Sequence, residues 1–164
     1  MRKLRLLLLF IPLLSFCQEV IINGINLNAP NGFVRSDVLG EDNIFWVKFN
    51  EYGNASETIS ITYFQENTDL SLAENFCKRG TRTTKFIDFM NVKINDVDFP
   101  VCFQEGENEW LITSFIYNNN GYTYTVFCNT YNGKEEEFKS SEFENPQQNI
   151  EYMIGYMATR FLLE

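Results

Sequence analysis

The chain has 164 residues, of which 22 are acidic and 13 basic, and it contains no histidine. A formal charge of −9 makes nucleic acid and anionic membranes poor partners, because both present dense negative charge. The missing imidazole excludes Ser-His-Asp and Cys-His machinery and removes the commonest ligand from any zinc or copper site.

At the N-terminus, Arg2, Lys3 and Arg5 precede an apolar run from Leu6 to Leu14, which ends in Ser15-Phe16-Cys17-Gln18. A positive start, a short apolar core and small residues at the exit are the parts of a secretory signal peptide. The run is shorter than the roughly 20 apolar residues of a bilayer span. Pro12 inside it opposes a helix of the folded domain. Residues 1–17 are therefore expected to direct export, leaving a single domain over 18–164 that is periplasmic or secreted. Two exits stay open. Ser15 and Cys17 fit the −3 and −1 positions of simple cleavage before Gln18, which is the favoured reading. Leu14-Ser15-Phe16-Cys17 also resembles a bacterial lipobox, in which Cys17 would be lipidated and retained, although bulky Phe16 stands where that motif has a small residue. Lipidation would tether the same fold to a membrane face. Loss of Arg2, Lys3 and Arg5 leaves ten basic residues against 22 acidic ones, a charge of −12 on a 147-residue remainder. That length suits one domain with a core. Sixteen Phe, eight Tyr and two Trp supply the core and exclude a disordered chain.

Ile25 to Ala29 alternates as a short strand, and Pro30-Asn31-Gly32 ends it with turn residues. Residues 43–51 alternate again, with Phe45, Val47 and Phe49 on one face and Lys48 and Asn50 on the other. After the turn at Gly53-Asn54-Ala55-Ser56, residues 57–65 place Ile59, Ile61 and Tyr63 inward and Thr58, Ser60 and Thr62 outward. This pair reads as an antiparallel hairpin with one wet face. A packing helix is predicted over about 71–80, opened by a Ser71/Glu74 capping box and closed by Lys78, Arg79 and Gly80. Residues 85–94 and 97–104 are extended, and Pro100 in the second implies an edge or a bulge. Residues 109–117 and 122–130 form a hairpin around Asn118-Asn119-Asn120-Gly121, since Asn-Gly tolerates positive φ. Trp110, Ile112 and Ile116 share one face of that pair, and Tyr122, Tyr124, Val126 and Cys128 share a face of its partner. A polar stretch from 132 to 145 crosses the surface. The last helix is expected over 146–162, capped by Asn145, with Pro146 at its first position. Ile150, Met153, Ile154, Met157 and Phe161 make its apolar stripe, widened by Tyr152 and Tyr156.

The order of elements, and Gly24-Ile25-Asn26-Leu27-Asn28-Ala29-Pro30-Asn31-Gly32-Phe33 at the start, resemble the Mog1/PsbP-like family. Members open with a strand running into a Pro-x-Gly-aromatic turn and carry helices after the first hairpin and at the end. The sequence departs from that pattern at Ala158-Thr159-Arg160-Phe161, where Ser-Phe is more usual. Cystatin-like and NTF2-like sheets are the nearest rivals. The resemblance implies an α+β fold: a twisted antiparallel sheet of about six to seven strands with two packed helices. It also implies a non-enzymatic accessory or binding role, with no catalytic residues to carry over. The Phe- and Asn-rich composition and the style of the signal look like small exported proteins of Bacteroidetes.

Three cysteines follow the signal: Cys77, Cys102 and Cys128. They form no C-x-x-C. Strands flanking a third lie about 9–10 Å apart, which puts Cys102 and Cys128 beyond disulfide reach. An oxidising compartment permits a disulfide, an odd number leaves at least one thiol unpaired, and buried free cysteines acting as small apolar residues are the favoured reading. Carboxylates are the remaining chemical vocabulary. Asp96 and Asp98 lie in one turn, and Glu105, Glu107 and Glu109 lie in the next loop, where a pair would suit acid/base work or Ca²⁺. Glu135-Glu136-Glu137 reads as a solvated loop. Trp46 and Tyr117, if exposed, offer stacking surfaces for a sugar or peptide. No cofactor motif is present and no metal or cofactor site is expected. The function expected is an exported non-enzymatic domain that binds an unknown protein or small ligand. A carboxylate-based hydrolase acting on glycans and a periplasmic subunit of a larger assembly are the alternatives.

Overall fold

In the computed structural model, residues 19–36, 43–139 and 146–162 are described. The signal segment with Cys17, the Asn145 cap and residues 140–145 of the 132–145 crossing lie outside the described residues.

Among the described residues, nine strands and two α-helices form an α+β domain: β1 (Glu19–Ile22), β2 (Ile25–Asn28), β3 (Phe33–Arg35), β4 (Ile44–Phe49), β5 (Ala55–Phe64), α1 (Ala73–Arg79), β6 (Lys85–Ile94), β7 (Val97–Glu105), β8 (Trp110–Asn119), β9 (Tyr122–Tyr131) and α2 (Pro146–Leu162). Seven strands make one antiparallel sheet in the order β3-β4-β5-β9-β8-β7-β6, and β1 and β2 pair separately. The Asn-Gly turns of the β1–β2 and β8–β9 hairpins behave alike. Asn23 and Gly24 (φ 51° and 88°) and Asn120 and Gly121 (φ 49° and 80°) take the left-handed pair that a two-residue hairpin turn requires.

The core lies between one face of the sheet and α2 with the β1–β2 hairpin. Ile150, Met153, Ile154, Met157, Ala158 and Phe161 of α2 are buried against Ile59, Ile61, Phe99, Val101, Phe115, Tyr124, Val126 and Cys128, with Ile22, Ile25 and Leu27 from the hairpin. The inward residues of β5 and β9 are those that the alternation indicates. On β4, however, the face under α2 carries Ile44 and Trp46, and Trp46 is fully buried. It is therefore no stacking surface, because the Phe45-Val47-Phe49 face is the one turned away from α2. Tyr117 is likewise half-buried, stacked on Phe99 at 5.6 Å and packed against Phe161 at 5.4 Å.

Helix α1 lies on the opposite face of the sheet. A 3-10 turn, Leu70–Leu72, precedes it, and Asp69 rather than Ser71 caps this run, its Oδ1 accepting from the Ser71 N–H at 2.9 Å. The Ser71/Glu74 capping box does not form, because Ser71 already sits inside the 3-10 turn; Glu74 instead pairs with Lys78 at 2.7 Å. Pro100 is accommodated because β7–β8 pairing runs only from Val101 to Glu105, so a single neighbour, β6, flanks the proline.

The cysteines correct the favoured reading of free thiols at two of the three positions. Cys77 and Cys102 form a disulfide, with Cα atoms 5.6 Å apart, while Cys128 is free and buried. Cys102 and Cys128 do lie on strands flanking β8, as their spacing suggests. Strand alternation turns Cys102 to the outer face, where α1 brings Cys77 over it. Cys128 faces the core, where burial pushes its thiol far up and away from the nucleophilic form.

Candidate functional site

The carboxylates singled out from the sequence divide between the two ends of β7. Asp96 sits in the Asn95-Asp96 turn, fully exposed and 3.6 Å from Lys93, and Asp98 is exposed beside it. Glu105, at the far end of this nine-residue strand, pairs with Lys85 at 3.7 Å. The two groups are therefore about 25–30 Å apart along β7 and do not form one site. Among the described residues no three His, Cys, Asp or Glu side chains converge to hold a metal ion.

Glu109 is different. It stands at the head of β8, where Asn108 and Glu109 both take left-handed backbone (φ 56° and 62°). The Asn120-Gly121 turn sets the register of the β8–β9 hairpin and puts Trp110 opposite Tyr131. The pairing continues one step beyond, with the Asn132 N–H donating to the Glu109 carbonyl at 2.8 Å. The Tyr131 hydroxyl thereby meets Glu109 Oε2 at 3.3 Å. It also donates a short hydrogen bond to Glu135, which the following loop folds back over it. Two carboxylates bound to one oxygen have their nearest oxygens within about 6 Å of each other.

The loop is held from the other side. Asn50, nearly buried, donates through Nδ2 to the carbonyls of Glu137 (2.6 Å) and Lys139 (3.1 Å), and Asn54 Nδ2 donates to Glu137 at 2.9 Å. Glu135-Glu136-Glu137 is thus more than a solvated run, because its backbone is tied to the turn between β4 and β5 and one carboxylate to β9. The result is a cleft of about 700 Å³ at one end of the sheet, lined by Asn54, Ala55, Asn108, Glu109, Trp110, Tyr131, Glu135 and Phe138. Trp110 meets the Tyr131 ring edge-on at 6.3 Å, and Phe138 packs on Tyr131 at 5.5 Å. Tyr131 and Glu135 were not marked as site residues by sequence alone. The hairpin register counted from Asn120-Gly121 carries the signal for the Trp110–Tyr131 pair, but nothing in the sequence announces the fold-back of Glu135.

The floor of the cleft is tightly built. A Cβ placed on Gly133 would land on the Tyr131 hydroxyl and on Glu109 Oε2. Glu109 can swing away, but the Tyr131 ring is 5 % exposed and has little room. Gly133→Ala is expected to cost about 1–3 kcal/mol through overpacking. Chemical denaturation measures this, and an unchanged midpoint would show that the loop does not approach the phenol.

The hydrogen bond to Glu135 pushes the Tyr131 hydroxyl up to about 12, with burial and the Glu135 charge acting in the same direction. An unfolded phenol ionises near pH 10. A folded pKa above the unfolded one stabilises the fold below about pH 10, and this contribution is lost as pH rises toward 12. Ultraviolet titration of tyrosinate is expected to show a late step that Tyr131→Phe removes. Tyr124, raised by burial, keeps its own late step in that variant. Equal titration curves for the two proteins would contradict the arrangement.

With fold and cleft described, the comparison with solved structures can be placed. The solution structure of cyanobacterial PsbP (CyanoP) from Synechocystis sp. PCC 6803 matches with a TM-score of 0.54, covering 87% of this chain and 89% of that one, at 15% identity. The chain therefore has the PsbP-like fold, an α+β sheet with helices after the first hairpin of the sheet and at the end. At that identity the likeness speaks for the fold alone. No protein-family model matches the chain, and no curated protein matches it.

Proposed function

We propose that this chain is an exported, non-enzymatic binding or accessory domain that holds its ligand in the Trp110/Tyr131 cleft. The observation that carries the reading is the cleft itself: about 700 Å³ with aromatic walls and polar groups converging on its floor. The carboxylate-hydrolase alternative draws support from Glu109 and Glu135, two carboxyl groups that meet at one hydroxyl in the same cleft. Against it, the Tyr131 hydroxyl occupies the space between them, where a scissile bond would have to sit. A binding role needs no such access.

Nuclear magnetic resonance of the isotope-labelled domain tests this reading with mixtures of sugars, amino acids and amines. Saturable shifts confined to residues 108–110 and 131–138 are expected, with no product formed. Turnover of a glycoside that Glu109→Gln abolishes would replace the proposal with the hydrolase. Export is tested separately by intact mass of the protein recovered from its own cells. A chain starting at Gln18, or one carrying lipid on Cys17, supports export, and a chain that retains Met1 to Phe16 in the cytoplasm removes it.

A further inference from the structure

We infer that the cleft takes an organic cation, an ammonium or guanidinium head carried on an apolar stem. This rests on the binding role proposed above and names the class of its ligand.

An ionised carboxylate only accepts hydrogen bonds, and a phenol has a single proton to give. The Tyr131 hydroxyl lies within donating distance of both Glu135 and Glu109 Oε2, and its one proton can serve only one of them at a time, so the two carboxyl groups present more acceptor oxygens than the phenol can satisfy. No lysine or arginine among the described residues pairs with Glu109 or Glu135.

The side-chain amide and indole donors in the lining are few: Asn54 Nδ2 gives one of its two N–H groups to the Glu137 carbonyl, which leaves the second, the Asn108 amide and the Trp110 indole N–H. A sugar brings acceptors as well as donors, and its acceptors would find little here. An ammonium brings three donors and a guanidinium five, with no acceptor to satisfy. Trp110, Tyr131 and Phe138 add ring surface, which attracts a cation and covers an aliphatic stem. The net negative charge of the chain steers cations toward the whole surface.

The same head group arises from a free amine or from a lysine or arginine side chain of another protein. The probes are therefore n-butylammonium, n-butylguanidinium and the blocked residue Nα-acetyl-lysine methylamide, with 1-butanol as the neutral control. They are titrated into the exported form of the chain while the Trp110 indole and the 131–138 backbone are followed by resonance. All three cations are expected to give saturable shifts that weaken as salt is raised, and 1-butanol none. Tighter binding of the blocked lysine than of butylammonium points to a side chain of another protein as the source, and the reverse points to a free amine. The Glu109→Gln/Glu135→Gln double variant should lose about tenfold or more in affinity. Glu135→Gln alone, at an exposed position, keeps the test valid if the double variant folds poorly. Equal shifts from 1-butanol, or cation affinity unchanged in these variants, would overturn the inference while leaving the cleft a binding site. Sugars or other neutral ligands saturating the cleft when no cation does would have the same effect. If no probe of any class moves these resonances, the binding reading falls with it.

Discussion

Removing the Cys77–Cys102 bridge, by reduction or by Cys77→Ser with Cys102→Ser, is expected to lower the unfolding free energy by about 3–4 kcal/mol. The bridge closes a loop across 25 positions, and the loss of unfolded-chain entropy for a loop of that length is of this size. The effect should also be local. Helix α1 has seven residues, well under the roughly 12–15 that hold a helix in isolation. It buries only Ala73 and Cys77, and Leu72 and Phe76 beside them are 43 % and 53 % exposed. Its other ties to the sheet include the hydrogen bond from Gln104 Nε2 to the Cys77 carbonyl at 3.0 Å. Hydrogen exchange should therefore rise first across 65–84, before the sheet opens. Alkylation of the folded chain from Gln18 onward should label no cysteine, reduction should expose two, and Cys128 should react only in denaturant. Identical melts with and without reductant would show that the bridge does not hold α1. Such a bridge persists in an oxidising compartment, which fits the export proposed above.

How much of this was legible depended on whether a feature is local. The α2 stripe and the β8–β9 hairpin were, because Pro146, the helical spacing from Ile150 to Phe161 and Asn120-Gly121 each act through near neighbours. The Asn23-Gly24 turn carries the same local signal for β1–β2, flanked by Ile21, Ile22 and Ile25. β3 has only three residues and is a strand because β4 pairs with it, so its own sequence says little. The face of β4 was ambiguous because both faces are apolar, and only the position of α2 decides that Trp46 goes inward. The disulfide required knowing which face of the sheet α1 covers, a tertiary fact that no cysteine spacing contains. The cleft lay between these cases. Glu109 was marked for its charge, but its partners come from register (Tyr131) and from a loop held by Asn50 and Asn54 (Glu135).

On the other face of the sheet, Phe161→Ala is expected to cost about 3–5 kcal/mol, the range for removing a buried aromatic ring. The ring is 1 % exposed and meets Phe115 edge-on at 6.0 Å, Tyr117 at 5.4 Å and Tyr124 at 5.3 Å. Three sheet aromatics from β8 and β9 therefore lose a partner at once, and none can swing into the gap without leaving its own strand position. Tyr152→Ala on the exposed side of the same helix is the control: at 41 % exposure its cost should stay within about 0.5–1 kcal/mol. Denaturant midpoints of the two variants separate a docked α2 from one that is helical only by propensity, since a merely local helix would respond equally to both. The bridge and the ring act on opposite faces with no shared partner, so their costs should add. Their combined loss, about 6–9 kcal/mol, is comparable with the whole stability of a typical domain. The doubly altered chain is accordingly expected to be unfolded or nearly so in buffer alone, although each change by itself leaves a folded protein. A doubly altered chain with a cooperative melt near that of the single variants would mean that α1 and α2 stabilise the sheet through one coupled unit.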